Sequence, residues 1–512
     1  MKDSDQHKFD ALLEWAQSHG AALHPAVEIY NDDATKFSIR VRSDQQLDAG
    51  STVVTCPTFI TLSYLNALTN SPHSFSSRPA AGTSPSQPAA FPPRFMQEVP
   101  PHVIGRFFLI QQYLLGRDSF WYPYIATLPQ PEHLSSWTLP AFWPAADVAF
   151  LSGTNADAAI EETRENVRRE FKHAHKILKK EEHAGWEEYT RVLYNWAFCI
   201  FTSRSFRPSL ILPEPTQQVL LGGGAGLLGE EEGVVGLEDF SMLQPVLDIA
   251  NHDITKAVTW NNTTTTTRRQ DISGCEMVTK DRYGPGQQVY NNYGNKTNSE
   301  LLLGYGFILP VTEDGLHNDY IHVRKRVDQK EQERGGGKPK DFLIGLRPMH
   351  HPSSVVGRSR QLLLGENNAE GMRGFEHVED GLILDLVLAV AVEEERGVIE
   401  GLLLAERQQE QQGQVGAISI LEVTLTDWKE EDGKLGELRD RVKGALLTKL
   451  GNDFERLVQM DPEFAPATKN QELALQYREQ CKRVYEAAIQ ALMKTYSDFG
   501  RAEVRQGIII VN

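Results

Sequence analysis

The chain has 512 residues, 40% hydrophobic and 24% charged, enough apolar material for a sizeable core in two or three domains of a soluble globular protein. A formal net charge of −17 excludes a general nucleic-acid binder, which needs a basic face, and suits a basic protein partner. The cysteines Cys56, Cys199, Cys275 and Cys481 form no Cys-x-x-Cys pair, so free thiols in a reducing compartment are expected, with no cysteine cluster to hold zinc.

The first residues, Met-Lys-Asp-Ser-Asp-Gln-His, have no apolar signal core. The most apolar run, Leu382 to Val392, contains Asp385 and is too short for a bilayer, which needs about 20 residues. A cytoplasmic or nuclear location with no membrane partner is the default expectation.

In chain order, Phe9, Leu12, Leu13 and Ala16 sit at helical spacing, and Gly20 suits the end of that helix. Phe37–Val41 alternates, Gly50 marks a turn, and Thr52–Thr55 leads to Pro57, which predicts a β-hairpin over 37–57. Residues 70–93 are rich in Ser, Pro and Ala and read as a mobile loop. Residues 103–205 read as mostly helical, with Phe107, Leu109, Tyr113 and Leu114 followed by Trp121-Tyr-Pro-Tyr124, and then a long charged helix from Ile160 to Lys180. The Gly-rich stretch after Leu221 has no strand-plus-helix context for a phosphate loop, and Glu230–Glu232 would repel phosphate, so it is a linker. Strand patterns return over 245–310, interrupted by Thr263–Thr267. Helical periodicity then dominates 378–404, 435–460 and 470–497, separated by Gly- and Gln-rich stretches at 333–338 and 407–416. A short apolar strand, Ile508–Val511, closes the chain.

Two segments stand apart: Asp248-Ile-Ala-Asn251-His252, and Tyr290-Asn-Asn-Tyr293-Gly-Asn-Lys-Thr-Asn298-Ser-Glu300 continuing to Tyr305-Gly-Phe307. Gly294 and Gly306 suit tight turns. Polar groups among aromatics are costly to bury without partners, so such clusters tend to belong to sites. Read locally, Asn251-His252-Asp253 is a turn, Asn298 caps a helix with Glu300 in its first turn, and Arg204 and Arg207 end the apolar helix through Trp196–Phe201.

Together and in this order, the two segments resemble the SET-domain methyltransferases of the branch that includes the Rubisco large-subunit methyltransferase. Trp121-Tyr-Pro-Tyr124 with Leu128-Pro129, and Ser203-Arg204-Ser-Phe206, are weaker matches to the same branch. The resemblance implies an α+β architecture. A β-rich SET core with a pseudoknot would occupy residues 1–311, split by a large helical insertion over about 60–240 that contains the loop 70–93 and the Gly-rich linker 221–238. An all-helical domain over 312–512 would bind the protein substrate.

The implied activity is S-adenosylmethionine-dependent N-methylation of a lysine on a non-histone protein, with a ribosomal or translation-related substrate by family analogy. Asn251 and His252, Arg204, and the backbone of Phe37, Ser38 and Ile39 would hold the cofactor. Asp248, Arg207 and Tyr305 would face the substrate. Tyr293, with Tyr305 as a second aromatic wall, would carry catalysis, and Phe307 would be core. The chemistry fits these residue types. Methyl transfer is an in-line displacement that needs an aligned neutral amine. A free lysine has a pKa near 10.4, and an aromatic channel lowers it by desolvation. Tyrosine hydroxyls orient the amine, and rings stabilise the ammonium product.

Two departures from the family pattern stand out. The Gly-x-Gly of the first strand pair is replaced by Phe37-Ser-Ile-Arg40, and a third channel tyrosine has only Trp260 as a counterpart. One alternative is protein-histidine methylation, although the actin-histidine relative in this branch lacks the tyrosine matched by Tyr305. A non-catalytic SET-fold binding module is the other. Metal chemistry has no support: His173 and His175 are two apart on a helix and do not share a face, and His350-His351 has no third ligand at metal spacing.

Overall fold

The computed structural model describes residues 2–32, 36–72, 89–133, 139–212, 214, 217, 235–266, 271–310, 315–324, 341–360, 375–397, 399 and 436–497. Most of the loop 70–93, most of the linker 221–238, the stretches 333–338 and 407–416, and Ile508–Val511 lie outside these residues. Two compact units emerge: Met1–Phe142 with Glu161–Gly294, and Trp143–Ile160 with Asn295–Asn512. Periodicity places a boundary at 311/312, whereas the compact units divide at 294/295. The segment Trp143–Ile160, inside the helical stretch, joins the second unit because its apolar side chains are buried with the C-terminal helices.

In the first unit, the helix Lys2–Ser18 buries Phe9, Leu12 and Ala16, as its spacing requires, and Gly20 follows with φ +92°. Among the described residues ten short strands follow: β1 (Ala22–Leu23), β2 (Val27–Asp32), β3 (Lys36–Val41), β4 (Thr52–Pro57), β5 (Leu62–Ser63), β6 (Ser205–Phe206), β7 (Met242–Leu243), β8 (Val258–Thr266), β9 (Asp271–Thr279) and β10 (Gln288–Val289). They form three antiparallel sheets, ordered β1-β4-β9-β8, β10-β3-β2 and β5-β7-β6. The expected hairpin over 37–57 is therefore corrected. Both strands form and Gly50 turns with φ +86°, but β3 pairs with β2 and β10 while β4 pairs with β1 and β9. The link between them is held elsewhere, with Leu47 bridging Tyr283 and the Gly50 N–H donating to Thr279 O. Nor does the threonine run interrupt a strand: β8 passes through Thr263–Thr266 in register with β9, as β-branched residues allow.

Between β5 and β6 the described chain is helical. It includes Pro101–Leu114, Tyr122–Ile125, Asn155–Lys180 and Arg191–Arg204. Phe107, Phe108, Trp121, Tyr194 and Trp196 from this stretch share one core with Ile39, Val41, Val53, Val54 and Met277 of the sheets. The four cysteines are buried and free. Among the described residues, no helix is long and apolar enough to cross a membrane.

In the second unit, Trp143, Phe150, Leu151 and Ile160 are buried in one cluster with Leu382, Leu446, Leu450, Tyr477 and Val484. The long helices are Gly436–Gln459 and Lys469–Ser497. The C-terminal region also holds a two-stranded antiparallel sheet, β11 (Tyr320–Arg324) with β12 (Asp341–Gly345), added to its helices. Its alternating Tyr320-Ile-His-Val and Phe342-Leu-Ile runs flank a segment that periodicity alone leaves unassigned.

The helix Asn298–Tyr305 is capped by Thr297, whose hydroxyl accepts from Glu300 N–H while the Glu300 carboxylate accepts from Thr297 N–H. Asn298 is not the cap. Its buried amide accepts from Leu309 N–H at 2.8 Å and donates to Leu309 O at 2.8 Å and to Asp319 Oδ1 at 2.7 Å. Asp319 is 1% exposed, and its Oδ2 has no hydrogen-bond partner among the described residues. Burial pushes its carboxyl up to about 6, against the Asn298 hydrogen bond and Arg483 and Arg347. A carboxyl whose folded pKa is raised contributes stability below its unfolded value and loses it as pH rises through about 6. Asp319→Asn keeps the shape without the charge. Its stability relative to wild type should therefore improve by about 3 kcal/mol between pH 4 and pH 8. Denaturant unfolding of both proteins at the two pH values checks this, and a pH-independent difference would show that the Asp319 carboxyl titrates alike in the folded and unfolded chain.

Candidate active site

The parts of the two singled-out segments that lie in the first unit, Asp248–His252 and Tyr290–Gly294, meet there. Val246, at φ +73°, turns the chain into Leu247–Ile249. That φ is strained for a β-branched residue, and strain of this kind tends to be held at sites. Beyond it, Asn251–Asp253 runs beside Asn291. Asn291 N–H donates to Asn251 O at 2.7 Å, Asp253 N–H donates to Asn291 O at 3.0 Å, and His252 and Asn291 form a parallel bridge. Tyr293 closes the crossing. Its N–H donates to His252 Nδ1 at 3.0 Å, its hydroxyl donates to Ala250 O at 3.0 Å, and its ring stacks on His252 with centroids 5.0 Å apart. Asn292 pins the turn with its amide on Ile254 O and Lys256 O.

The side chains around this crossing come from distant elements. Asn251 donates to Ser38 Oγ on β3 at 3.0 Å and to Gln288 Oε1 on β10 at 3.1 Å. Of the three strand residues expected at the cofactor, Ser38 alone meets Asn251 with its side chain. Phe37 stacks on Phe9 at 4.0 Å, and Ile39 is fully buried in the core. Trp260 donates its indole N–H to Asn291 Oδ1 at 3.1 Å and stands edge-on to Phe206 at 5.5 Å, so it joins the cluster.

Asp248 is buried beneath the crossing. Its Oδ2 accepts from the Tyr124 hydroxyl at 2.8 Å, and Arg204 Nη1 lies 3.2 Å from Asp248 O and 3.4 Å from Oδ2. Burial raises the Asp248 carboxyl above its ordinary value, with Arg204 and Tyr124 pulling the other way. Burial depresses Arg204, but Asp248, Tyr124 and Tyr293 outweigh it and raise its pKa. Asp248 Oδ1 is buried with no hydrogen-bond partner among the described residues, which leaves an acceptor for a donor-bearing ligand.

Other expected residues lie elsewhere. Arg207 has a side chain 75% exposed and pairs with Glu238 at 3.9 Å. Tyr305 belongs to the second unit, where the Lys296 ammonium sits 5.7 Å over its ring and Phe307 meets it edge-on at 6.2 Å. That contact marks the ring as a surface for a cation. Phe307 is half-buried and outside the main cluster, not core. Sequence reasoning missed Tyr124, Gln288, Tyr30 and Asn291 as partners of the site. The tyrosine of Trp-Tyr-Pro-Tyr and the Gln-Val lead-in to Tyr290 were the available signals. Among the described residues no group of three His, Cys, Asp or Glu could hold a metal ion.

No protein-family model matches the chain. Among curated proteins it is similar to ribosomal lysine N-methyltransferase set10 of Schizosaccharomyces pombe, 26% identical over 304 residues, 59% of this chain and 46% of that protein. It is also similar to the actin-histidine N-methyltransferase of Homo sapiens, 22% identical over 331 residues, 63% of this chain and 46% of that protein. The chain spans about half the length of these relatives. Among solved structures it resembles the SET domain of LSMT bound to lysine and AdoHcy, with TM-score 0.57 and 14% identity over 96% of this chain and 92% of that one. Rubisco LSMT bound to AdoMet gives TM-score 0.54 over the same shares at 14% identity. The chain therefore has the SET-domain fold of LSMT, as its motifs lead one to expect.

Proposed function

We propose that this chain, with its SET-domain fold of the Rubisco LSMT type, is an S-adenosylmethionine-dependent protein-lysine N-methyltransferase. The observation that carries the proposal is the crossing of Asn251-His252 with Asn291–Tyr293, which brings a carboxamide, an imidazole and a phenol together beside the Arg204–Asp248 pair. The donor set fits the cofactor: a guanidinium suits a carboxylate, and carboxamide and carboxylate oxygens suit amino groups. The cofactor supplies an electrophilic methyl. The protein's work is then to orient an amine and keep it neutral. Tyr293, whose hydroxyl proton is directed to Ala250 O, offers its oxygen as an acceptor. An aromatic surround favours the neutral amine going in, and a ring such as that of Tyr293 tolerates the cation coming out.

Lysine is preferred to histidine because Tyr305 stands where the actin-histidine relative lacks a tyrosine. Likeness to that relative is what keeps histidine as the second reading. The substrate class proposed is a basic protein, given the charge of −17. A ribosomal protein is the first to assay because set10 is a ribosomal lysine N-methyltransferase. The cytoplasm or nucleus is the proposed location.

Calorimetric titration with S-adenosylmethionine tests the cofactor assignment. Asn251→Ala should weaken binding by roughly 1–3 kcal/mol, because Ser38 and Gln288 lose their shared partner as the ligand loses a contact. Equal affinity in a folded variant would remove Asn251 from the site. Mass spectrometry of the methylated substrate decides between lysine and histidine.

A further inference from the structure

The Asn251 carboxamide is the last member of a chain of side-chain hydrogen bonds that runs back to the edge of β2. The Tyr30 hydroxyl donates to Asp32 Oδ2 at 3.3 Å. Gln288 Nε2 donates to Tyr30 Oη at 2.8 Å. Asn251 Nδ2 donates to Gln288 Oε1 at 3.1 Å and to Ser38 Oγ at 3.0 Å. The directions are mutually consistent, and Asp32, which can only accept when ionised, sets them. A phenol that gives its proton to a carboxylate must accept from Gln288, so the Gln288 amide nitrogen faces Tyr30 and its oxygen faces Asn251. The Asn251 nitrogen then faces Gln288 and Ser38, and both of its N–H groups are used. What Asn251 has left is Oδ1, which accepts no hydrogen bond from a described residue.

Ser38 is fully buried and stands directly opposite Tyr30 in the β2–β3 pair. Its place is in the stretch where a Gly-x-Gly is missing, and a glycine there could not provide the hydroxyl that Asn251 uses. Burial keeps the Tyr30 phenol protonated by raising its pKa, with Asp32 adding to the effect and the Gln288 hydrogen bond opposing it. The Arg40 guanidinium lies 4.6 Å over its ring and packs it in place.

Resting on the cofactor reading above, we propose that Tyr30, Gln288 and Ser38 are positioning residues. They fix the Asn251 carboxamide with its oxygen outward, as the acceptor for an amino group of S-adenosylmethionine. Tyr30 itself has no contact with the ligand. It acts through Gln288.

Calorimetric titration of the full chain with S-adenosylmethionine, within a double-mutant cycle, tests this. Tyr30→Phe keeps the ring under Arg40 and removes only the hydroxyl. It should weaken binding roughly fivefold, and Ser38→Ala roughly tenfold, in line with the loss of one hydrogen bond in a network. In an Asn251→Ala background, where there is no carboxamide to orient, Tyr30→Phe should change affinity by less than about twofold. A structural effect of Tyr30 would instead appear equally in both backgrounds. Equal effects, or none in the wild-type background, would overturn the relay while leaving the cofactor assignment standing. A wild-type chain that does not bind S-adenosylmethionine would overturn both.

Discussion

Tyr293→Phe is expected to lower kcat by roughly 10²–10³ while leaving affinity for S-adenosylmethionine nearly unchanged, the usual consequence of removing one oriented polar group from a transition state. The geometry separates this effect from packing. The ring stacks on His252 at 5.0 Å with only 16° between planes, and phenylalanine retains that contact. The Tyr293 N–H bond to His252 Nδ1 is a backbone bond and is also retained. The substitution removes the hydroxyl, which donates to Ala250 O at 3.0 Å. In stability this costs about 0.5–1.5 kcal/mol, the ordinary net worth of one such bond. Under the proposed function it costs more in rate, because alignment of the reacting groups is the main thing a protein supplies to an in-line displacement. Single-turnover methyl transfer to the identified residue measures it. A rate within about twofold of wild type would make Tyr293 a packing residue.

A chain ending at residue 311, where the sequence pattern turns helical, is expected not to fold as a soluble monomer. Such a chain keeps Trp143–Ile160 but loses the C-terminal helices with which that segment is buried. Trp143, Val148, Phe150, Leu151 and Ile160 are buried with the C-terminal helices. Asp147 accepts from Thr468, Asn470 and Gln471. The carbonyls of Phe150 and Ser152 accept from the fully buried Arg478. Exposing five such side chains forfeits on the order of 10 kcal/mol at about 1.5–3 kcal/mol each, as much as the whole stability of a typical domain. Replacing 143–160 by a Gly/Ser linker in the same truncated chain should restore a soluble monomer. Size-exclusion chromatography and thermal unfolding of the two truncated chains check this. A cooperative, monomeric 1–311 would mean that the segment does not depend on the C-terminal helices.

Local spacing and side-chain chemistry encode part of this fold within short windows of the chain. The helix through Phe9, Leu12 and Ala16 was legible because each contact repeats within four residues. So were the long C-terminal helices, the strands β3 and β4 as strands, and the two segments that form the crossing. Which strand meets which edge is settled by long-range packing. β3 and β4 are separated by a turn and yet belong to different sheets. Nothing within either strand distinguishes one partner from another, since alternation specifies a face and not a neighbour. Locally, Thr297 and Asn298 are equally good caps; Asn298 is withdrawn because Leu309 and Asp319 claim its amide. Arg204 and Arg207 look alike in the chain, but only Arg204 faces a buried carboxylate. The bond from Asn251 to Ser38 spans 213 positions. A contact of that range is set by packing the whole sheet, and no short window of sequence contains it.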